Sequence, residues 1–246
     1  MDKMLYVAMS GAKQTMLAQN VHSHNLANVA TTGFKADYAQ ARSMPVFGGD
    51  FPTRVYSMTE NPGVNFEPGN MIATNRDLDI SVQGEGWLTV LDSEGNEAFT
   101  RSGELVVDAN GLVKTRDNLI LMGNAGPLVL PPYEKLEIGG DGTITVQSLG
   151  QGPETLTEVD RMKLVNPEVR ELTKGADGMF RRKDGNIEPP DSVVRVQSGV
   201  LEGSNVNPVE ALMEIMSLSR QFELQMKMMT KAEELDENSA RLLQGS

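Results

Sequence analysis

Both ends of this chain carry apolar rows at helical spacing, and everything between them is cut by turns. Residues 1–28 place apolar or small side chains at Leu5, Ala8, Ala12, Met16 and Leu26. Residues 208–243 place Leu212, Ile215, Phe222, Met226 and Met229 at spacings of three, four and seven, and Met228, Leu235 and Leu242 continue a seven-residue row. A repeat averaging 3.5 residues keeps one face of a helix against a neighbour. The pattern predicts two antiparallel helices of one layer, paired like a coiled coil and seeking further helices, with the middle of the chain projecting from them. Such a chain suits a polymer better than an enzyme.

The ends of both helices are marked. Asn25 and Asn28 tolerate the left-handed backbone that closes a helix, and Thr31, Thr32 and Gly33 discourage its continuation. Asn28 is grouped with the apolar rows as a candidate assembly residue. At the other end Asn207 can cap, Pro208 suits the first helical position, and Glu210 stands three residues after the cap. About 36 helical residues would span about 54 Å.

Charge separates the ends from the middle. The net charge is −12, yet residues 1–40 sum to +1 and residues 207–246 to −3, so the middle carries −10. Nearly neutral ends can pack together, whereas an acidic middle fits a solvated surface. The acidic balance argues against nucleic acid, which requires clustered Lys and Arg. The chain has no cysteine, so disulfides, thiolate chemistry and cysteine metal sites are excluded. No stretch is apolar enough to span a membrane as a helix. The N-terminal segment lacks the long apolar run and cleavage site of a secretory signal. By itself that predicts a cytoplasmic protein, unless export proceeds without a cleaved signal.

Four segments follow. Residues 1–35 hold the first helix of an inner layer. Residues 36–78 contain Pro45, Pro52, Pro62 and Pro68, which forbid a long helix and predict an extended connector. Residues 79–200 alternate short apolar runs (LDISV, WLTVL, LVKT, KLEIG, TITVQ) with Gly, Asn and Asp turns, the signature of an antiparallel β domain. Asp141-Gly142 predicts a hairpin between the last two runs, and Trp87, the single tryptophan, is read as a core anchor. Residues 201–246 return to the helical layer. The predicted class is α+β, mainly β: paired terminal helices with a Gly-rich antiparallel β domain between them.

Chemical motifs are scarce. His22 and His24 are the only histidines, and residues two apart on a helix point in different directions, which disfavours a shared metal. The segment 92–97 resembles a calcium loop in composition but lacks its ligand spacing, and reads as a hairpin turn. Gly84-Glu85-Gly86 carries an acid where a phosphate loop cannot, and Arg181-Arg182-Lys183, flanked by acids, reads as a solvated turn. No Gly-x-Ser-x-Gly elbow is present, and the abundant carboxylates do not by themselves make a dyad. No catalytic, cofactor or metal residue is expected, and no small-molecule substrate.

NLANVATTGFK at residues 25–35 resembles the N-terminal motif of the flagellar rod and hook proteins. EGWLTV and FTRSGELVVDANGLVKT resemble that family's β-domain signature, and SGVLEGSNVNPVEALMEIMSLSRQFELQMKMM its C-terminal helix motif. The length leaves no room for the extra outer domains of the hook protein, and Trp87 and DGMFR at 177–181 lean toward the proximal rather than the distal rod. The resemblance implies a structural subunit of the bacterial flagellar basal-body rod, the drive shaft between motor and hook. It implies export without a cleaved signal through the flagellar type III apparatus and assembly in the periplasm. It also implies contact with other proximal-rod proteins and the distal-rod protein. The competing reading is a secreted wall-cleaving enzyme, which would need converging carboxylates in a cleft.

Overall fold

The computed structural model describes residues 4–45, 55–60, 63–150 and 156–244. The chain forms two units, one of Met1–Val29, Ala36–Phe66 and Val206–Ser246, the other of Ala30–Lys35 and Glu67–Asn205.

The first unit is built on helices α1 (Met4–Ala27) and α2 (Pro208–Gln244). Their packing is governed by a contrast in side-chain size. The covered residues of α1 are small: Ala8, Ala12 and Thr15 are buried, with Gly11 beside them. On α2 the covered residues are Ala211, Ile215, Leu218, Phe222, Gln225, Met229 and Ala232, buried or half-buried, alternating four and three apart. That is the heptad seam, and its larger side chains fill against the flat Ala/Gly face of α1. Backbone hydrogen bonds from Gly33 to Glu202 and from Asn205 to Phe34 hold the chain leaving α1 beside the chain entering α2. Two helices in contact that end and begin at one place run antiparallel. The Asn207 side chain caps α2 by accepting from the Val209 amide at 3.1 Å, with Pro208 in the first position.

The stretch expected as a connector contributes a hairpin to this unit. Strands β1 (Gln40–Pro45) and β2 (Val55–Glu60) pair antiparallel, and β2 packs on α1, where the Ser10 hydroxyl donates to the Ser57 carbonyl at 3.3 Å. Residues 46–54 and 61–62, with Pro52 and Pro62, lie outside the described residues. Asn25 fixes the start of this excursion: its side chain donates to the Asp37 carbonyl at 2.8 Å and accepts from the Asp37 amide at 2.9 Å.

The second unit is antiparallel β-structure. Strand Trp87–Leu91 lies at its centre, paired with Glu97–Thr100 on one edge and with Ile120–Leu121 and Leu164–Val165 on the other. A separate three-stranded sheet comprises Tyr133–Ile138, Thr143–Ser148 and Leu156–Arg161, the first two joined through Asp141-Gly142. Inward residues of both sheets, among them Leu88, Val90, Leu105, Leu121, Val146 and Leu164, form one core. Removal of such apolar surface from water is the main stabilising contribution. Trp87 is buried against Phe180, ring centroids 4.6 Å apart.

One sequence expectation is corrected here. Arg181 and Arg182 belong to strand Phe180–Arg182, not to a solvated turn. Each is half-buried because acids converge on it: Asp92 and Asp177 on Arg181, Glu171, Asp184 and Glu188 on Arg182. Flanking acids, read as a sign of solvation, are the partners that let the arginines enter the sheet.

Candidate assembly surface

The thirteen residues singled out from sequence separate into faces. Ala8, Ala12, Ile215, Phe222 and Met229 lie on the covered seam between α1 and α2. Leu5, Met16, Leu212, Met226 and Leu235 point outward, Met16 57% and Leu235 62% exposed. Leu26 is half-buried. Asn28 is also half-buried and closes α1: its side-chain amide donates to the His24 carbonyl at 2.9 Å. The side chain of Leu242 lies outside the described residues. A single apolar row on α2 is therefore two rows. Residues 215, 222 and 229 form one heptad row and face inward; 212 and 226, each three residues earlier than 215 and 229, stand on a second row and face out, as does 235.

The outward side is richer than the sequence reading indicated. Tyr6, Met9 and Leu17 on α1, and Val209, Met213, Met216, Leu224 and Met228 on α2, are also exposed. On α2 they form an open groove of about 530 Å³ lined by Met213, Met216, Ser217, Arg220, Gln221 and Leu224. Spacings of three and four from Met213 to Leu224 were the available signal, masked by the stronger seam one face away. The groove mixes apolar Met213, Met216 and Leu224 with polar Ser217, Arg220 and Gln221.

Electrostatics favour contact between unlike helices. Across Met4–Ala27 the only formal charge is Lys13, whereas Pro208–Gln244 carries seven acids against four bases. Neither helix is apolar and long enough to cross a membrane.

A second feature lies inside the β unit and was not read from sequence. Lys35, Arg101 and Glu202 are buried together. The Lys35 ammonium donates to Glu202 Oε1 at 2.6 Å and to the Glu67 carbonyl at 2.8 Å. The Arg101 guanidinium donates to Glu202 Oε2 at 3.0 Å and to the Gly84 carbonyl at 2.7 Å, and lies 5.2 Å from the Trp87 ring. The Gly69 amide also donates to Glu202 Oε1, at 3.2 Å. Burial pushes the Lys35 ammonium below its usual range, and the Glu202 hydrogen bond opposes that. One carboxylate thus holds four stretches of chain. Gly33, two residues before Lys35, has φ +69°, and a Cβ there would lie 2.3 Å from the Arg101 carbonyl carbon, so only glycine brings this segment against the strand end. Gly69 is equally constrained: its Cβ would lie 2.0 Å from the Gly203 carbonyl oxygen. The signal was present as charged residues in apolar, glycine-bearing motifs (TTGFK, FTRSGE, VLEGS), but their convergence is a tertiary fact.

Residues 92–96 form the hairpin turn, with the Asp92 carboxylate accepting from the Glu94 and Asn96 amides at 2.9 Å each. His24 lies 3.4 Å from Asp37. Among the described residues no cluster of three or more His, Cys, Asp or Glu could hold a metal.

Three family models match the chain: flagella basal body rod protein over residues 5–35, the flagellar hook protein FlgE/F/G D1 domain over 81–146, and the flagellar basal body rod FlgEFG protein C-terminal region over 197–242. Lys35, Arg101 and Glu202 come one from each matched segment. The flagellar basal-body rod protein FlgF of Salmonella typhimurium is 37% identical over 249 residues, covering 99% of both chains. The FlgF of Escherichia coli K12 is 38% identical over 247 residues, 98% of this chain and 97% of that one. The rod protein FlgG of Buchnera aphidicola subsp. Schizaphis graminum is 25% identical over 261 residues, 97% of this chain and 98% of that one.

Proposed function

This chain belongs to the FlgF family of flagellar basal-body rod proteins, and from that premise we propose that it builds the proximal rod by burying the outward faces of α1 and α2 against helices of neighbouring rod subunits. It is a structural subunit of the flagellar basal body. The observation that carries the assembly reading is the distribution of size on the helices. Their mutual contact uses small side chains on α1, leaving Leu5, Met9, Met16, Met213, Met216 and Leu224 to water. A monomer gains nothing from that exposure, whereas neighbouring helices would remove it.

The partners proposed are other copies and other rod-family helices, with the distal-rod protein above. Stronger likeness to FlgF than to FlgG supports the proximal position. Export without a cleaved signal and assembly in the periplasm belong to the same proposal. In the same proposal the subunit acts by contact; Asp92, Asp177 and Glu202 of the β unit serve in a turn and in ion pairs.

The test is deletion of the gene followed by complementation. Cells lacking the protein should carry no hooks, and the wild-type chain should restore them. Density for this chain in the proximal rod of purified basal bodies would place it. A motile deletion strain would overturn the reading.

A further inference from the structure

Of the nine methionines exposed among the described residues, six stand on the terminal helices, and the other three are Met44, Met58 and Met71. There is no cysteine, and the single tryptophan is buried. Thioethers are then the side chains most open to two-electron oxidants. Met162 and Met179 are buried in the β unit, at 1% and 8% exposure. By contrast Met9, Met16, Met213, Met216, Met226 and Met228 stand on the outward faces of α1 and α2, none less than 44% exposed.

We propose that these six methionines are a reversible oxidation site that switches the helical face between an assembling and a non-assembling form. A peroxide or hypohalous acid is the oxidant. With hydrogen peroxide the sulfur donates an electron pair to one peroxide oxygen, the O–O bond breaks, a sulfoxide S–O bond forms and the second oxygen leaves as water. The sulfur loses two electrons and the peroxide gains them. A sulfoxide is polar and chiral where the thioether was apolar, so the face that neighbours must cover no longer prefers burial. The core of the β unit is unaffected, because Met162 and Met179 are shielded, whereas Met71, 49% exposed, oxidises with the helical set. Reduction by a methionine sulfoxide reductase restores the face: two thiols of a thiol reductant give up two electrons and become a disulfide, and the sulfoxide oxygen leaves as water. Once covered by neighbours the same sulfurs are out of reach, so the sensitive form is the unassembled subunit.

This inference rests on the proposed assembly role, and the test separates the two. Purified full-length protein is treated with hydrogen peroxide and mapped by peptide mass spectrometry. The six outward methionines should oxidise at least about tenfold faster than Met162 and Met179, since susceptibility follows exposure. In deletion cells complemented with the wild type, peroxide given before rod assembly should stop hook formation, and the same dose given after assembly should not. A variant with all six changed to glutamine, a polar substitute for the sulfoxide, should be exported and folded by Trp87 fluorescence yet leave cells without hooks. Uniform oxidation across all methionines would overturn the switch while leaving the assembly role intact, and motile glutamine-variant cells would overturn the switch together with the outward-face contact. A deletion strain that swims would instead remove the assembly role.

Discussion

Thr15 on α1 donates its hydroxyl to the side-chain oxygen of Gln225 on α2 at 3.3 Å, and both sit at a point where the helices have no room for a larger group. One turn earlier, a Cβ on Gly11 would lie 2.9 Å from the Gln225 amide nitrogen. Gln225 occupies the seam alone among apolar neighbours, and Thr15 is the polar partner that makes this tolerable.

Gly11 therefore sets the separation of the helices. Gly11→Ala should be nearly neutral: the end of Gln225 can swing aside, and the gain of about 0.5–1 kcal/mol from replacing a helical glycine offsets the disturbed hydrogen bond. Gly11→Leu should wedge the pair and cost about 1–3 kcal/mol. Urea melts followed by far-ultraviolet circular dichroism for the helices, and by Trp87 fluorescence for the β unit, should move only the helical signal. Equal behaviour of both variants would show that α1 and α2 do not touch here.

The Lys35–Glu202–Arg101 cluster supplies a second prediction. Glu202 is the shared charge partner of two buried cations, so Glu202→Gln leaves both without it and should cost about 3–5 kcal/mol. Lys35→Met should cost less, because Glu202 keeps Arg101 at 3.0 Å and the Gly69 amide at 3.2 Å. Chemical denaturation read by Trp87 fluorescence ranks the two. A larger loss in Lys35→Met would mean that the lysine, not the carboxylate, holds the four segments together.

The helices were legible because their signals are local. Asn207-Pro208 and Asn25–Asn28 bound α2 and α1 by capping chemistry, and Asp141-Gly142 fixed its hairpin by turn chemistry. Which apolar residues of α2 face inward was only half legible. Phe222 and Leu224 are two residues apart and equally apolar, and only the small face of α1 selects Phe222. The convergence of the ion cluster was not legible, since Lys35, Arg101 and Glu202 are scattered along the sequence and their motifs, charged among apolar and glycine residues, do not require one another. Arg181 and Arg182 misled for a related reason: their strand joins the sheet through Phe180 paired with Phe99, and Arg181 meets Asp92, both contacts distant in sequence.

Acid should weaken the β unit in a defined window. Hydrogen bonds from Arg181 hold the Asp177 carboxyl below its ordinary 3.8, and the Thr143 amide and hydroxyl do the same for Asp141. A carboxylate with a depressed folded pKa binds fewer protons folded than unfolded near that value. Its contribution is complete above about pH 5 and is lost as pH falls through 3.8 toward the lower folded value. Arg181→Gln should shallow the fall in stability between about pH 5 and pH 2. At neutral pH it should cost less than about 1 kcal/mol, since the pair is partly solvated and screened. An unchanged acid limb in that variant would assign the loss to other carboxylates.

The two faces of α2 can be separated by the same substitution placed two residues apart. Phe222 lies half-buried on the seam with α1, whereas Leu224 is 60% exposed and lines the outward groove. Phe222→Asp sets a charge against the apolar face of α1 with no partner, at a cost of several kcal/mol. It should unpair the helices, visible as lost helicity in the purified chain, and abolish hooks by that route. Leu224→Asp places its charge in water and should leave helicity and the Trp87 signal as in the wild type. It should abolish hooks nonetheless, because the groove it lines would have to be buried by a neighbouring helix. Motile Leu224→Asp cells would show that the outward groove is not an assembly contact. Full helicity in Phe222→Asp would show that the seam between α1 and α2 does not depend on its largest side chain.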